Sequence, residues 1–373
     1  MLKILFIEPY YGGSHKAFAD GYVKNSSHDV QLLTMPARKW KWRMRGAAIW
    51  LAERLPDFDP DIVLASDFLD LAALSALAPA FFHNIPKAVY FHENQLTYPL
   101  HSETRRDYQF GVTNITTCLA ADKVFFNSEY HMNSFIAAAD ALLQKMPDFI
   151  PHKAPRQIRC KSEVLPVGIE VQRIRDIAAA YDRQTHNGSD LRIIWNQRWE
   201  YDKNPEEFYS ALRMLADSGT DFRLTVLGEN FRRVPEVFDK IKKEFSSQLE
   251  YFGYINNREQ YLHCLAEGGV VVSTAAHEFF GIAVLEAVAA GCIPLLPNRL
   301  SYPELIPVEE HEECIYDSLN NLVEKLTYYA NSPELVFEKN YSHLCDRFSW
   351  EKVAFTLDAE LKAMSSENSN FIT

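Results

Sequence analysis

Short apolar runs alternate with amphipathic segments along the whole chain. The apolar runs are rich in β-branched residues, which is typical of buried parallel strands, and the segments between them have helical spacing. In the first half, strands are predicted at residues 2–7, 29–34, 61–66, 87–92, 123–127 and 161–167. From Leu191 the rhythm restarts, with strands predicted at residues 191–197, 222–229, 249–255, 269–275, 293–298 and 313–317. The pattern predicts an α/β protein with two doubly wound parallel sheets.

The two halves predict two Rossmann-like domains. The first is expected over residues 1–170 and the second over residues 190–348, separated by a polar stretch at 181–190 whose Gly, Asn and Ser content is typical of a linker. A last helical pattern, at 349–364, follows the final strand, and we expect it to pack back on the first domain. The carboxyl-end loops of the two sheets are expected to face each other across a cleft, where a ligand would bind.

The loop after the predicted strand at 269–275 carries the most informative motif. Glu278 and Glu286 are eight positions apart across a strand-to-helix turn. Glu278 would lie at the carboxyl end of a strand, where open α/β sheets bind ligands. The backbone N–H groups of Phe280, Gly281 and Ile282 are expected at the positive end of the next helix, ready to receive a diphosphate. We interpret the loop as a nucleotide-sugar site, although two glutamates at this spacing also arise by chance.

Two cations lie on one loop at the start of the second half. Arg198 ends the first strand there, and Lys203 follows within the same loop. The Asn-Pro-x-Glu sequence at residues 204–207 predicts a capped helix start, which would hold Lys203 in a defined place. Such a pair suits a diphosphate leaving group, whose charge grows as the glycosidic bond breaks. The alternative is a solvated pair that bridges to Glu200 or Asp202.

The loop after the first strand contains paired glycines. Gly12 and Gly13 would let the backbone approach a ligand closely, and the following helix offers its N-terminus to an anion. His15 and Lys16 add polar groups at the same place. The alternative is that the glycines serve only a turn with positive φ.

Polar residues also follow the predicted strand at 87–92. Of the twelve histidines, His92 is the strongest catalytic candidate, because histidine serves as a donor or proton shuttle in many enzymes. Asn94 lies beside it in the same polar loop. The alternative is a histidine that is satisfied by a backbone carbonyl.

One basic segment interrupts an otherwise acidic chain. It carries five positive charges within eight residues, interleaved with two tryptophans: Arg38, Lys39, Trp40, Lys41, Trp42, Arg43, Met44 and Arg45. Helical spacing from Met44 onward predicts a loop that enters a helix. Cations beside aromatic side chains suit the phosphates and unpaired bases of RNA. The alternative is that the tryptophans belong to the core and the charges to a solvated face.

Composition narrows the classes of protein. The chain has 373 residues, of which 47% are hydrophobic and 24% charged, as expected for compact globular domains. Because the net charge is −12, any contact with nucleic acid must be local. The six cysteines lack metal-ligand or disulfide-framework spacing and are predicted as core thiols. No apolar run suits a signal peptide or a membrane span, so we expect a cytoplasmic protein without membrane contact.

Two nucleotide motifs and one metal site are not predicted. The glycines do not have the spacing of a dinucleotide-binding fingerprint or a P-loop. Residues 57–61 have an Asp-x-Asp spacing that could suit a divalent cation. This segment leads into a strand, so it would lie at the edge of the sheet away from the ligand-binding loops. We therefore expect neither a metal ion nor a resident cofactor.

The chain resembles the retaining GT-B glycosyltransferases that use nucleotide sugars. The residues that carry this resemblance are Arg198, Lys203, Glu278 and Glu286. Longer and more specific strings look like the tRNA-queuosine mannosyltransferase family, and they lie at residues 11–16, 39–45, 91–99 and 127–128. The resemblance covers nearly the whole chain. It implies transfer of mannose from GDP-mannose to the cyclopentenediol of queuosine in tRNA for aspartate, with retention of anomeric configuration and without a required metal.

The resemblance also implies roles for particular residues. Arg198 and Lys203 would hold the diphosphate, and Glu286 would hold the ribose. Glu278 would hold the hexose with nearby amides, and His92 would support the reacting face. The full set expected at the donor is Gly12, Gly13, Arg198, Lys203, Phe280, Gly281, Ile282 and Glu286. The set expected at the acceptor is His15, Lys16, Arg38, Lys39, Trp40, Trp42, Arg43, Arg45 and Asn94.

Two other functions stay open at this point. The first is a GT-B glycosyltransferase that acts on a glycan or lipid acceptor, for which an exposed amphipathic apolar helix would be expected and none is convincing. The second is a non-catalytic RNA-binding protein on a GT-B scaffold. The presence of the donor residues, Glu278 and Glu286 among them, argues against this second function. No oligomeric state is predicted.

Overall fold

The computed structural model describes residues 1–56, 58–99, 106–180, 190–229 and 234–369. The chain divides into two compact units. Unit 1 comprises Met1–Gly168 together with the helix that begins at Trp350, and unit 2 comprises Ile169–Ser349. Asp57 and residues 181–189 of the predicted linker lie outside the described residues.

Each apolar run that predicts a strand is matched by one in the structure. The strands are β1 Lys3–Tyr11, β2 Asp29–Pro36, β3 Ile62–Ser66, β4 Lys87–Phe91, β5 Lys123–Phe126, β6 Ser162–Val164, β7 Leu191–Trp195, β8 Phe222–Leu227, β9 Leu249–Gly253, β10 Val270–Val272, β11 Ile293–Pro297 and β12 Ile315–Tyr316. The predicted strands are therefore confirmed, with differences of a few residues at their ends.

Helices connect the strands on both faces of each sheet, as a parallel arrangement requires. They are α1 Gly13–Asn25, α2 Trp40–Ala52, α3 Leu71–Leu77, α4 Ala80–His83, α5 Tyr108–Ala120, α6 Glu129–Leu143, α7 Ala154–Cys160, α8 Val171–Ala179, α9 Pro205–Asp217, α10 Val237–Glu244, α11 Arg258–Ala266, α12 Ile282–Ala289, α13 Tyr302–Leu305, α14 His311–Cys314, α15 Leu319–Asn331, α16 Pro333–Glu338 and α17 Trp350–Ser369. Short 3-10 turns lie at Tyr201–Lys203, Val308–Glu310 and Ser342–Phe348.

Unit 1 contains a six-stranded parallel sheet with the order β2-β1-β3-β4-β5-β6. Ile4 of β1 pairs with Val30 on one side and with Ile62 on the other. The strand order therefore reverses between β1 and β3, and the loops after these two strands leave in opposite directions. Doubly wound sheets bind ligands in the crevice that such a reversal creates.

Unit 2 contains a second six-stranded parallel sheet, with the order β12-β11-β10-β7-β8-β9. Here the order reverses between β7 and β10, which pair through Ile193 and Val270. The loops that follow these two strands carry Arg198, Lys203 and Glu278, so the reversal places the predicted donor residues at one position. The predicted α/β GT-B architecture, with a Rossmann-like sheet in each half, is confirmed.

The last helix, α17, packs within unit 1 and extends beyond the predicted end at Met364. The Trp350 indole at its start fills space left by two glycines, since a β-carbon at Gly21 or Gly168 would lie 2.1 or 2.3 Å from the indole ring. Further along, the Asp358 carboxylate accepts hydrogen bonds from Tyr22 and from the turn that follows α1. Within the described residues, no helix is both long enough and apolar enough to cross a membrane.

Candidate functional site

The loops that follow β7 and β10 are joined by hydrogen bonds in unit 2. The amides of Ala276 and His277 donate to the carbonyl of Asp202 at 2.8 and 3.1 Å. The Thr274 hydroxyl donates to the carbonyl of Lys203 at 3.1 Å. Two segments more than 70 residues apart in the sequence thus form one structure at the strand reversal.

Lys203 lies at the centre of this structure and is only 5% exposed. Its Nζ donates to the His277 carbonyl at 2.8 Å and to Glu278 Oε2 at 3.2 Å, and it lies 3.4 Å from Asp202 Oδ2. A buried ammonium needs such partners, because an unpaired charge in this environment is costly. Lys203 is therefore buried rather than solvated, although it does contact Asp202 as the alternative interpretation expected. The structure also brings Lys203 and Glu278 together.

Glu278 is held in its ionised form by the start of the next helix. Its Oε1 accepts from the amides of Phe279 and Phe280 at 3.1 and 3.3 Å. Burial would raise the pKa of Glu278, but Lys203 and these donors outweigh it, so the pKa is lower than its ordinary value. The Phe280 amide, which the sequence predicted to face a diphosphate, is therefore used by Glu278. Gly281 follows as the residue before α12, with φ of 112°, a conformation that favours glycine.

Glu286 lies on α12 and is 9% exposed. Its Oε1 accepts a hydrogen bond from Nη2 of Arg258, the first residue of α11. The Arg258 guanidinium also lies over the ring of Tyr261, 5.4 Å from its centroid, and Tyr261 in turn accepts from Asn196 at 3.1 Å. Arg258 is not among the residues predicted from the sequence. The sequence offered one indication of its role. Arg258 begins the helix that follows β9, so it lies at the same edge of the sheet as the other site loops.

Arg198 is a more exposed residue than Lys203. Its Nη1 lies 3.3 Å from Glu200 Oε2, and its side chain is 44% exposed. The alternative interpretation, a pair with Glu200, thus describes its geometry here. Because much of the guanidinium faces solvent, it can also reach an incoming phosphate.

The predicted capping box at residues 204–207 is wrong in one respect. Asn204 precedes α9 but has a left-handed conformation, with φ of 49°, and its side chain does not cap the helix. Its amide group instead donates to Glu207 Oε2 at 2.5 Å. The helix start is still well defined, because Pro205 occupies its first position and Glu207 also accepts from Arg299 at 3.0 Å.

Unit 1 contains a buried group of acidic and imidazole side chains at its own strand reversal. The Glu8 carboxylate, three residues before the end of β1, contacts His15 Nδ1 at 3.1 Å, and all three of Glu8, His15 and His92 are buried. The rings of His15 and His92 lie 4.1 Å apart. The structure therefore joins the two histidines that the sequence singled out, and adds a carboxylate that it did not identify.

A second acidic residue, Asp67, completes this group after β3. Its Oδ1 accepts from the His92 amide at 3.0 Å. Burial, partly offset by His15, raises the pKa of Asp67 to about 8. Burial also opposes protonation of His15, but the Glu8 carboxylate outweighs it and raises the pKa of His15 to about 9. Burial and the positive charge of His15 lower the pKa of His92, which is therefore neutral at physiological pH.

The ligand atoms of Glu8, His15 and His92 all lie within 4.8 Å of one another. Two histidines and one carboxylate are a donor set found in catalytic zinc sites. Both oxygens of Glu8 already accept hydrogen bonds, from the Tyr10 amide at 2.8 Å and from His15. In the contacts present, Glu8 and His15 form an ion pair, because the carboxylate raises the pKa of His15. A metal ion bound here would have to displace the proton of His15 and the hydrogen bonds to Glu8.

The other candidates in these two loops have local roles. A β-carbon at Gly12 would lie 2.4 Å from that of Ala37, so this glycine is required by a neighbouring loop, whereas Gly13 has φ of 54° and open space beside it. Lys16 pairs with Asp20 on the surface of α1. The fully buried Asn94 shapes its own loop, since Oδ1 accepts from the amides of Leu96 and Thr97 at 3.0 and 2.9 Å.

The basic segment forms the start of α2, and the two tryptophans differ. Trp40 is half-buried and packs against Phe68 and Phe110, with ring centroids 6.0 and 5.1 Å away. Trp42 is 61% exposed. The core interpretation therefore holds for the first tryptophan, while the second is available to a partner.

The cations of this segment also divide into two sets. The Arg43 guanidinium donates to the Pro36 carbonyl at 2.9 Å, and Arg45 pairs with Asp107 at 3.5 Å. The remaining three, Arg38, Lys39 and Lys41, are exposed. The exposed set, together with Trp42, is the part of the segment that can contact RNA phosphates and bases.

Two known protein families match the two halves of the chain separately. Residues 3–169 match the family described as tRNA-queuosine alpha-mannosyltransferase N-terminal, and residues 178–344 match glycosyl transferases group 1. The tRNA-queuosine alpha-mannosyltransferase of Drosophila melanogaster is 38% identical over 354 residues, which is 94% of this chain and 92% of the relative. A GDP-mannose-dependent alpha-(1-6)-phosphatidylinositol dimannoside mannosyltransferase of Mycobacterium tuberculosis is 23% identical over 203 residues, or 54% of this chain and 52% of the relative.

Solved structures with similar folds are more distant in sequence. Sucrose-phosphate synthase from Thermosynechococcus elongatus has a TM-score of 0.71 at 13% identity, covering 98% of this chain and all of the other. The alpha,alpha-trehalose 6-phosphate synthase from Burkholderia multivorans has a TM-score of 0.69 at 14% identity, covering 100% and 99%. At these identities the likeness concerns the fold alone.

Proposed function

The chain belongs to the tRNA-queuosine alpha-mannosyltransferase family and is a glycosyltransferase, and we propose that it transfers mannose from GDP-mannose to the queuosine base of tRNA for aspartate. The observation that carries this proposal is the similarity to the Drosophila melanogaster enzyme, which extends through both units rather than one. The buried Lys203–Glu278 pair at the strand reversal of unit 2 supports a donor site there.

In the proposed reaction, unit 2 holds the donor. Glu278, kept ionised by Lys203, accepts hydrogen bonds from hexose hydroxyls. The exposed Arg198 contacts the diphosphate, and with Lys203 it stabilises the negative charge that grows on the leaving group. Glu286, oriented by Arg258, accepts from the ribose hydroxyls.

We propose that anomeric configuration is retained and that no side chain forms a covalent intermediate. The acceptor hydroxyl attacks the anomeric carbon on the face from which the phosphate departs. The new carbon–oxygen bond forms as the bond to the phosphate oxygen breaks, and the phosphate takes the hydroxyl proton. This differs from retaining hydrolases, in which a carboxylate is the nucleophile. His92, neutral because of burial and His15, supports the reacting sugar by hydrogen bonding.

We assign the RNA contact of unit 1 to the exposed part of α2. Trp42 offers a face on which a base can stack, and Arg38, Lys39 and Lys41 offer positive charge to phosphates. We also propose that the reaction needs no metal ion and takes place in the cytoplasm.

The experiment that tests this function uses the purified chain, GDP-mannose and two preparations of tRNA. One preparation comes from cells that make queuosine and the other from cells that lack it. Nucleosides are then analysed by mass spectrometry for the addition of a single hexose. A gain that occurs only with queuosine-containing tRNA for aspartate supports the donor and acceptor together. Absence of a gain, despite saturable binding of GDP, would remove queuosine as the acceptor and keep the donor site.

A further inference from the structure

Unit 1 carries a second basic surface, formed by residues that the sequence analysis did not single out. A groove of about 710 Å³ is lined by Leu119, Lys153, Arg156, Gln157, Cys160 and Lys161. We call it the α7 groove, because α7 and the residues at its two ends supply most of the lining. None of the lining residues is acidic. Cys160, predicted as a core thiol, is exposed here.

The cations of the α7 groove are available to a ligand. Lys153 and Arg156, which line the groove, are exposed, as is Arg159 on the same helix. The side chains of these three form no ion pair with any residue that the structure describes. Lys161 differs, because its ammonium donates to two carbonyls at the end of α5. Residues 153–161 include four cations and no acidic residue, in a chain whose net charge is −12. Such a local concentration of unpaired cations attracts a polyanion.

An exposed aromatic residue precedes the α7 groove by four positions. Phe149 is 97% exposed, although burying a phenylalanine side chain is favourable by about 1.5–3 kcal/mol. Its backbone has φ of 44°, in the left-handed region that non-glycine residues seldom adopt. The loop therefore displays the ring to solvent. Phe149 is four residues from Lys153 in the sequence, and an exposed aromatic face together with exposed cations is the combination that binds unpaired bases and phosphates.

The α7 groove lies at the edge of the sheet opposite to the loops of His15 and His92. α7 ends at Cys160, immediately before β6 begins, and Leu119 lies just before β5 begins. The site loops of unit 1 instead follow the ends of β1, β3 and β4. A five-residue strand such as β4 spans about 16 Å, so the two positions are separated by roughly the length of a strand. A ligand that contacts both must be a macromolecule rather than a nucleotide.

We propose that the α7 groove and Phe149 form a second RNA-contact surface, which binds a segment of the tRNA away from the base that is modified. Lys153 and Arg156 contact backbone phosphates, and Phe149 stacks on an unpaired base. This inference rests on the proposed function in taking tRNA as the polyanion. It explains how a strongly acidic chain can hold a polyanionic substrate, since two separate surfaces share the binding.

The test measures direct binding of full-length tRNA to the whole chain by fluorescence anisotropy at several salt concentrations. The double substitution Lys153→Gln with Arg156→Gln is expected to raise Kd by about tenfold and to reduce the slope of log Kd against log salt by about two. Phe149→Ala is expected to raise Kd by about tenfold, and Phe149→Tyr to restore it, because stacking needs only an aromatic face.

A matched control separates local contact from overall charge. Lys240→Gln with Lys243→Gln removes the same charge from exposed positions on α10 of unit 2. This control should leave Kd and the salt slope near their wild-type values. The inference is overturned if the α7 groove variant binds tRNA like wild type, if the control weakens binding equally, or if Phe149→Tyr behaves like Phe149→Ala. If Lys153→Gln with Arg156→Gln lowers thermal stability, its effect on tRNA binding is not interpreted. The difference in Kd between Phe149→Ala and Phe149→Tyr then tests the inference.

Binding is measured with tRNA that lacks queuosine and without donor, so it does not depend on transfer. If mannose transfer fails while the predicted binding changes occur, the proposed function falls and the RNA surface stands. If mannose transfer succeeds while these variants bind tRNA like wild type, the proposed function stands and the second RNA surface falls. Vesicles containing phosphatidylserine provide a further arm, and binding to them that depends on Arg156, with tRNA binding unaffected, would assign the groove to lipid headgroups and overturn the inference.

Discussion

At the scale of single residues, Lys203 and Glu278 depend on each other for their charged states. Their side chains lie 3.2 Å apart, and Lys203 also donates to the His277 carbonyl. Removing one partner of such a pair leaves a buried charge without compensation, at a cost of about 3–5 kcal/mol. The pair therefore contributes both to the structure of the loops and to the proposed chemistry.

Replacing either residue should impair turnover strongly. Lys203→Ala is expected to lower kcat by a factor of about 10²–10³, because a donor to the growing phosphate charge is lost. It should also raise the pKa of Glu278, since the main group that lowers this pKa disappears. Glu278→Ala should lower kcat through loss of contacts with the hexose. The measurement is steady-state transfer from GDP-mannose, with Lys240→Ala as an exposed control.

Thermal unfolding of each variant keeps activity separate from folding. The double variant Lys203→Ala with Glu278→Ala should be less destabilised than the sum of the two single variants, because it leaves neither charge unpaired. Near-normal transfer by folded single variants would remove both residues from the donor site.

Metal removal tests the buried group of Glu8, His15 and His92. Both Glu8 oxygens accept hydrogen bonds, and the raised pKa of His15 keeps it protonated, so we expect dialysis against a chelator to leave the transfer rate unchanged. The measurement combines the rate with elemental analysis of the dialysed protein. The ion-pair assignment would be contradicted if the wild-type transfer rate fell on chelation and returned with zinc, while the rate of Glu8→Gln responded to neither treatment.

The site residues that were not predicted from the sequence are Glu8, Asp67 and Arg258. Glu8 contacts Tyr10 and His15, which are near it in the sequence. Asp67 and Arg258 instead contact His92 and Glu286, which are more than twenty positions away. Local spacing contains no information about such pairs. Asp67 had a signal, because it directly follows an apolar strand, as His92 does; the rule that identified one could have identified the other. Glu278 and Lys203 could be singled out from the sequence because each follows a predicted strand. That these two strands, β10 and β7, are neighbours at the order reversal is known only from the structure.

At the scale of elements, strand identity was predictable and strand length was not. β10 covers only Val270–Val272, whereas the strand predicted from the sequence extends to residue 275. Beyond Val272 the polar side chains form other contacts, since Ser273 donates to Tyr302 at 2.6 Å and Thr274 donates to the Lys203 carbonyl. A parallel strand ends where its neighbours turn away, and this depends on pairings that the strand's own sequence does not contain.

The attachment of α17 within unit 1 supplies a stability prediction. The Asp358 carboxylate, 7% exposed, accepts four hydrogen bonds at 2.7–2.8 Å, from Tyr22, from Ser26 and twice from Ser27. Asp358→Asn is expected to cost about 1–3 kcal/mol, because the amide cannot accept all four. Calorimetry should show a lower Tm for the unit 1 transition. Asp148→Asn, an exposed change in the same unit, is the control, and an equal effect of the two would contradict this role.

The same carboxylate gives the prediction a definite pH dependence. Burial would raise the pKa of Asp358, but the four donors outweigh it and lower the pKa below its ordinary value. The stabilisation is therefore present above the pKa of an unfolded aspartate, about 3.9, and is lost as pH falls through the lower folded value. The difference in Tm between wild type and Asp358→Asn should narrow below about pH 4 and stay constant near neutrality. A difference that grows in acid would show that another group is responsible.

At the scale of the whole molecule, the negative net charge of the chain disfavours binding of the proposed tRNA substrate. A chain with a net charge of −12 repels tRNA at long range, so binding must come from surfaces where cations are exposed and unpaired. In the basic segment at the start of α2 these are Arg38, Lys39 and Lys41, which form no ion pair with a described residue, whereas Arg43 and Arg45 are engaged within unit 1. Lys41 also lies over the Trp40 ring. Long-range repulsion is screened by salt, whereas contacts with phosphates are weakened by it, so the two contributions oppose each other as salt increases.

This opposition makes the salt dependence of tRNA binding the most informative measurement on α2. The substitution Arg38→Gln with Lys41→Gln should reduce the slope of log Kd against log salt by about two, if both cations contact phosphates. The α10 control, Lys240→Gln with Lys243→Gln, changes the net charge equally but should leave the slope unaltered. Trp42→Ala should raise Kd by about tenfold at every salt concentration without changing the slope, because stacking releases no counterions. If the slope of log Kd against log salt is unchanged in Arg38→Gln with Lys41→Gln, these two cations do not contact phosphates. If the effect of Trp42→Ala on Kd vanishes at high salt, Trp42 contributes to binding electrostatically rather than by stacking.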